Sequence, residues 1–245
     1  MYSSAGVSIA RLRHCYLSNH YDSMMTYLYR LLLLLTISWV IPATAQNKHS
    51  EYYYQRVSLF DRLPADSDDI IFLGNSITNG CEWCELFSNP HIKNRGINGD
   101  TSRGVRDRLQ STLKGKPAKV FLMIGVNDIA NGASPDSVIS VMTQIIDRTA
   151  SLSPSTRLYV QSILPINDTY NIFWGHMDKS EQIKEYNSKL ESLCKKRGVP
   201  FIDLYSRFCN PGTDRMNLAY TNDGLHLMAD GYMLWRDTIM PYITE

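Results

Sequence analysis

Five short strand-like runs, each followed by a segment of helical character, leave this 245-residue chain few folds to adopt. The runs are residues 70–73, 91–95, 119–124, 157–163 and 200–204. Between and after them, residues 82–87, 101–113, 135–150, 181–196 and 229–242 read as helices. Val105 and Leu109 lie four apart, and Tyr232, Trp235 and Ile239 recur at three- and four-residue spacing. Such spacing puts apolar side chains on one helix face. Ser134 and Pro135 form a helix start, and Gly198 a helix stop. Short continuous apolar strands alternating with helices belong to a parallel sheet covered on both faces. Right-handed crossovers then make a three-layer α/β/α sandwich the natural solution. The expected fold is α/β, with a five-stranded parallel sheet in the flavodoxin-like order 2-1-3-4-5. No internal repeat, low-complexity segment or second folded domain is visible.

The N-terminus reads differently. Arg30 precedes Leu31–Leu35 and Thr36–Ile41, and Pro42 leads to Ala43-Thr44-Ala45. A charged residue, a short apolar run and an A-x-A site make a secretory signal peptide. The run is short for a membrane span, although an uncleaved anchor is the alternative. Met24 or Met25 would start a signal of ordinary length. The expected division is 1–45 as N-terminal extension and signal peptide, cleaved after Ala45, and 46–245 as one domain, secreted or periplasmic, with no stable membrane insertion. Residues 1–45 hold three arginines and one aspartate, so the remaining 200 residues carry a net charge of −1. That balance gives no argument for nucleic acid or an anionic membrane as partner.

Cys81, Cys84, Cys194 and Cys209 fall in the domain. Cys81-x-x-Cys84 has the spacing of a redox pair or half a zinc site, but no second pair or nearby His pair completes a metal site. A structural disulfide or inert thiols are expected. Tyr52-Tyr53-Tyr54 could line a sugar site or belong to a lead-in segment packed on the domain. Arg103, Arg106 and Arg108 read as a solvated helix face.

The first three strands each end in a tight polar turn: Gly74-Asn75-Ser76, Gly96-Ile97-Asn98-Gly99-Asp100-Thr101 and Gly125-Val126-Asn127-Asp128. In the expected strand order these turns meet at one crevice, where ligands of such folds bind. A serine hydroxyl there needs a base. His14 and His20 precede the cleavage site, His49 lies near the new N-terminus and His91 on a strand, which leaves His176 and His226. His226 stands in Asp223-Gly224-Leu225-His226, and an Asp three residues before a His can hold the imidazole tautomer.

These four blocks, in this order, resemble those of the SGNH, or GDSL-like, serine esterases. The resemblance spans nearly all of 46–245. It implies Ser76 as nucleophile, His226 as general base and acid, and Asp223 as the residue that orients His226. It implies an oxyanion hole made by the backbone N–H groups of Ser76 and Gly99 and the side-chain amide of Asn127. It implies no metal and no organic cofactor. Asn75 stands where many members carry Asp, a position outside the triad.

Family resemblance fixes ester hydrolysis but not the ester. The blocks look most like the bacterial acetylhydrolase-type branch, whose members often deacetylate sugars. Trp83, Tyr170, Phe173, Trp174 and His176 are candidates to line the substrate site, most of them on a loop-like insertion at 164–177. The same aromatics could instead pack that loop. A lysophospholipase or lipase, a non-catalytic glycan-binding protein of the same fold, and a thiol-disulfide protein using Cys81 and Cys84 are the competing readings.

Overall fold

The computed structural model describes Tyr21, residues 24–28 and residues 48–245. The chain divides into Met1–Lys48 and His49–Glu245. In the first unit residues 24–28 are helical and exposed, while the apolar run and the Ala43-Thr44-Ala45 site lie outside the described residues. The second unit holds the sheet.

Five parallel strands, β1 (Ile70–Gly74), β2 (Ile92–Gly96), β3 (Lys119–Met123), β4 (Arg157–Gln161) and β5 (Phe201–Ile202), lie in the order β2-β1-β3-β4-β5, as the sequence led us to expect. Gly74 pairs with Gly96 on one side and Met123 on the other. The three strands therefore finish level, and the polar turns that follow them emerge along one edge. Period-two alternation puts Phe72, Phe121 and Tyr159 on one sheet face at matching register. Their rings stack in a row, with centroids 5.3 Å and 4.7 Å apart. Trp83 covers one end of the row, stacked 4.1 Å from Phe72, and Tyr242 meets Tyr159 edge-on at the other.

The first helix, α1 (Glu51–Arg62), begins at Ser50, whose hydroxyl accepts the Tyr53 N–H. Tyr53 and Phe60 pack with Ile97 in a small satellite cluster, and the Tyr53 hydroxyl donates to the Gly104 carbonyl. Tyr53 thus fastens a lead-in helix to the domain. Short helices follow the first turn: α2 (Ser76–Asn79) and α3 (Trp83–Leu86). The helix expected over 101–113 is two pieces, α4 (Ser102–Asp107) and α5 (Leu109–Thr112), with Thr101 as N-cap. The break falls at Arg108, whose side chain turns inward.

Beyond β3 come α6 (Val126–Ala130) and the long α7 (Pro135–Leu152), capped by Ser134 as expected. The loop after β4 contains α8 (Trp174–Met177). The amphipathic α9 (Ser180–Arg197) packs against α7 and stops at Gly198 in the left-handed conformation. The stretch 205–224 contains α10 (Tyr205–Phe208) and a short 3-10 turn, Leu218–Tyr220. The closing helix α11 (Ala229–Thr244) buries Trp235 and Ile239.

All four cysteines of this unit are free thiols. Burial pushes Cys81 and Cys194 up to about 12 and Cys209 up to about 11, which suppresses the thiolate that redox chemistry requires. Among the described residues no cluster of His, Cys, Asp or Glu side chains could hold a metal ion. No described helix is long and apolar enough to cross a membrane.

Candidate active site

The first turn delivers Ser76 at the start of α2. Asn75 precedes it with its side chain buried, and Asn75 Oδ1 accepts the Ile77 N–H at 3.0 Å. An Asp would offer the same oxygen, so the departure from the family's usual residue leaves this cap intact. A four-residue helix cannot stand alone. Here the Asn94 amide donates to the carbonyls of Thr78, Asn79 and Cys81 at its far end, and the Tyr232 hydroxyl donates to Ile77 O.

The second turn brings Gly99 to the same edge with φ +74°, a backbone state that favours glycine. A Cβ there would meet nothing within 4 Å, so this face of the turn is open. No hydrogen bond within the described residues takes the N–H of Ser76 or of Gly99. Both donors are spare.

Buried ionic and polar groups lock the turns together. Arg108 was expected on a solvated face, but only 3% of it is exposed. Its Nε donates to Asp100 Oδ2 at 2.9 Å and its Nη2 to the Gly74 carbonyl at 3.1 Å, which joins the first turn to the second. Burial pushes the Asp100 carboxyl up, against the opposing pull of Arg108. Breaking such a pair leaves an uncompensated buried charge, a cost of about 3–5 kcal/mol. Asp128 of α6 accepts from the Ser102 N–H at 2.9 Å and the Ser102 hydroxyl at 2.6 Å, joining the second turn to the third. Asn127, one residue earlier, donates its Nδ2 to Asp100 O at 2.9 Å.

The fourth block arrives from the C-terminal side. Gly224 has φ +86° and lies so close to Asn167 that a Cβ would sit 2.1 Å from its carbonyl oxygen. The Asn167 N–H donates back to Gly224 O at 2.8 Å. Thus the loop after β4 holds the loop that carries Asp223 and His226. Asp223 Oδ1 accepts the N–H groups of Leu225 and His226, and Oδ2 meets His226 Nδ1 at 2.8 Å. Burial acts to raise this carboxyl, but the two N–H groups and the imidazole outweigh it and hold Asp223 below the usual carboxylate range. A carboxylate only accepts, so the imidazole proton belongs on Nδ1. Nε2 is then a bare acceptor, 3.0 Å from Ser76 Oγ. An imidazole held this way can take the hydroxyl proton and return it later.

Of the aromatic candidates, Trp83 is not at the site. It is 1% exposed, lies among Phe72, Phe87, Tyr232 and Trp235, and donates its indole N–H to Thr78 O. Its helical spacing with Leu86 and Phe87 marked a core face. Phe173 is half-buried and meets the His226 ring edge-on at 5.1 Å. His176 lies against Asn127, with Nε2 3.1 Å from Oδ1. Tyr170 is 37% exposed and sits beside Gly224, and Trp174 is 75% exposed at the start of α8. Asp100, Arg108 and Asn167 are the site's supports that sequence reasoning missed. Only Asp100 carried a signal, by lying inside a recognised block.

Residues 72–234 match the model of the GDSL-like lipase/acylhydrolase family. The chain belongs to that family. It is 32% identical over 192 residues to platelet-activating factor acetylhydrolase IB subunit alpha1 of Rattus norvegicus, covering 72% of this chain and 77% of that one. A GDSL-like lipase structure from Bacteroides thetaiotaomicron superposes with TM-score 0.69 at 23% identity, over 78% of this chain and 97% of that one. An acetyl-xylooligosaccharide esterase variant from Geobacillus Stearmophilus superposes with TM-score 0.59 at 16% identity, over 74% and 98%. At these identities the two structures bear on the fold alone.

Proposed function

We propose that this chain is an exported serine esterase that removes small acyl groups, above all acetyl, from carbohydrate. The observation that carries the reading is the connected line from Asp223 through His226 to Ser76, beside two unused backbone donors. Ser76 Oγ attacks the ester carbonyl while His226 Nε2 takes its proton. The resulting oxyanion sits against the N–H groups of Ser76 and Gly99 and the second N–H of Asn127. Collapse of this intermediate expels the alcohol, which His226 protonates, and leaves Ser76 acylated. Water then attacks the acyl-enzyme with His226 again as base. A non-catalytic glycan binder would have no reason to keep this hydrogen-bonded line.

Asn127→Ala is expected to lower kcat by roughly 10² to 10³ while the fold is retained, the usual cost of one oxyanion donor. Steady-state kinetics on p-nitrophenyl acetate checks this; a change confined to KM would assign Asn127 to ground-state binding.

Two features support a short acyl group on a sugar. Tyr170 and Trp174 present exposed aromatic surface on the segments around His226 and Asn127, suited to stacking on sugar rings. The name of the rat relative specifies acetyl hydrolysis. Each CH₂ of a long acyl chain contributes about 0.8 kcal/mol only if a matching apolar surface buries it. We expect kcat/KM to fall from p-nitrophenyl acetate through butyrate and octanoate to palmitate, with acetate released from acetylated xylose or sialic acid. A rise toward octanoate or palmitate without acetate release from either sugar would replace this reading with a lipase or lysophospholipase.

Export rests on the charged, apolar and small-residue pattern ending at Ala45. Mass spectrometry of the natively expressed protein is expected to find Gln46 first. An intact N-terminus in the cytosolic fraction would refute export.

A further inference from the structure

We infer that His176 is a positioning residue that fixes the side-chain amide of Asn127 in the one orientation that can serve the oxyanion. The inference rests on the reading of Asn127 given above. Its basis is a chain of donors and acceptors with one solution. The Asp100 carbonyl can only accept, so the Asn127 atom 2.9 Å from it is the amide nitrogen. The amide oxygen therefore faces His176, whose Nε2 lies 3.1 Å away. An amide oxygen also only accepts, so His176 carries its proton on Nε2 and donates it. Both ends of the amide are then held, the nitrogen by Asp100 and the oxygen by His176. One N–H of Asn127 is consumed by Asp100 and the other is left over.

That remaining N–H is the group the oxyanion needs. A flipped amide would place Oδ1 against the Asp100 carbonyl, two acceptors facing each other. Asp100 O thus disfavours the flip, and His176 adds the second restraint, which also limits rotation of the amide plane. Preset donors are worth most when no reorganisation is needed at the moment of reaction. His176 reaches Asn127 because α8 packs on α6. Its ring is also edge-on to Phe173, which in turn meets His226. The loop after β4 therefore supports both halves of the machinery: Asn167 holds the His226 loop, and His176 holds Asn127.

The test uses the full chain and p-nitrophenyl acetate. His176→Phe keeps a ring against Phe173 and removes the donor, whereas His176→Gln keeps a donor on a flexible side chain. We expect His176→Phe to lower kcat about tenfold with KM within twofold of wild type, and His176→Gln to recover at least half of that loss. In an Asn127→Ala background His176→Phe is expected to cost nothing further, because the group it positions is gone. Thermal denaturation of each variant identifies any that lose the fold, and His176→Gln provides the donor test where His176→Phe unfolds. A raised KM with unchanged kcat would instead make His176 part of the acceptor site and overturn the inference. A full tenfold loss persisting in the Asn127→Ala background would overturn it too. If Asn127→Ala alone leaves kcat unchanged, the oxyanion reading fails first, and with it this one.

Discussion

Ser76→Ala is expected to reduce turnover of p-nitrophenyl acetate by on the order of 10⁶, equivalent to about 8 kcal/mol of transition-state stabilisation. The size follows from the way the site is connected. Ser76 Oγ is the atom that would bond to the acyl carbon, and the His226 imidazole has its bare nitrogen 3.0 Å away for no other partner. Removing either end leaves the other without a task. His226→Ala should therefore cost about as much as Ser76→Ala, and the double variant little more than either. A residual rate above that of water is expected from substrate binding and the oxyanion donors, which neither substitution removes. The fold should survive, since Ser76 is only half-buried and the α2 cap is made by Asn75. Kinetics of the two single variants and the double variant check this, and near wild-type turnover by Ser76→Ala would remove the hydroxyl from the mechanism.

Asp223→Asn is expected to lower kcat by about 10⁴ with little change in structure. The reason is specific to this loop. Oδ1 of Asp223 accepts two backbone N–H groups, those of Leu225 and His226, at 2.8 Å and 2.7 Å. An Asn in that place keeps its oxygen toward those donors, because an amide nitrogen there would face two N–H groups. Its nitrogen then faces His226 Nδ1 and donates to it. The imidazole proton moves to Nε2 and points at Ser76 Oγ, so the base has no free lone pair. The same geometry gives a pH signature. Asp223 is held below the usual carboxylate range in the folded state, so the stability it contributes is present above the unfolded carboxylate pKa and fades as pH falls through the lower folded value. In Asp223→Asn that acid-side dependence should weaken. A loss of kcat under tenfold would show that Asp223 does not set the tautomer.

How much of this was legible in the chain differs by layer. The strand order was, because five short runs separated by helix-length segments admit few right-handed parallel windings. The four site blocks were, because Ser76, Gly99 and Asn127 follow strand ends, Asp223 and His226 stand before the closing helix, and the turns and the chemistry both require these residue types. The helix over Glu51–Arg62 was missed, although Ser50 as cap and Tyr53, Val57 and Phe60 at helical spacing were there to read. The three consecutive tyrosines suit a lead-in segment packed on the domain, and Tyr53 alone among them is buried there. Arg108 shows a different limit. Shared charge grouped it with Arg103 and Arg106, although i+2 spacing from Arg106 puts it on another helix face, and nothing local says that its guanidinium finds Asp100 eight residues back and Gly74 on a neighbouring strand end. A buried partner contributed from another turn becomes visible only once the strands are aligned. Trp83 differs, since its spacing with Leu86 and Phe87 marked a core face; it is close to the nucleophile in sequence, yet the ring row across β1, β3 and β4 holds it against the sheet rather than in the crevice.

The central claim is that Ser76 becomes covalently acylated, and labelling with an activated p-nitrophenyl alkylphosphonate tests it most directly. Phosphonates are attacked by the same oxygen, which bonds to phosphorus as p-nitrophenolate leaves, but the adduct is not released by water at a comparable rate. The account predicts one equivalent of p-nitrophenolate per protein, complete loss of esterase activity, and a single mass increment that peptide mapping places on Ser76, with labelling slowed severely in His226→Ala. Complete inactivation with the adduct on Cys84 or a tyrosine, or retained activity in fully labelled protein, would contradict it.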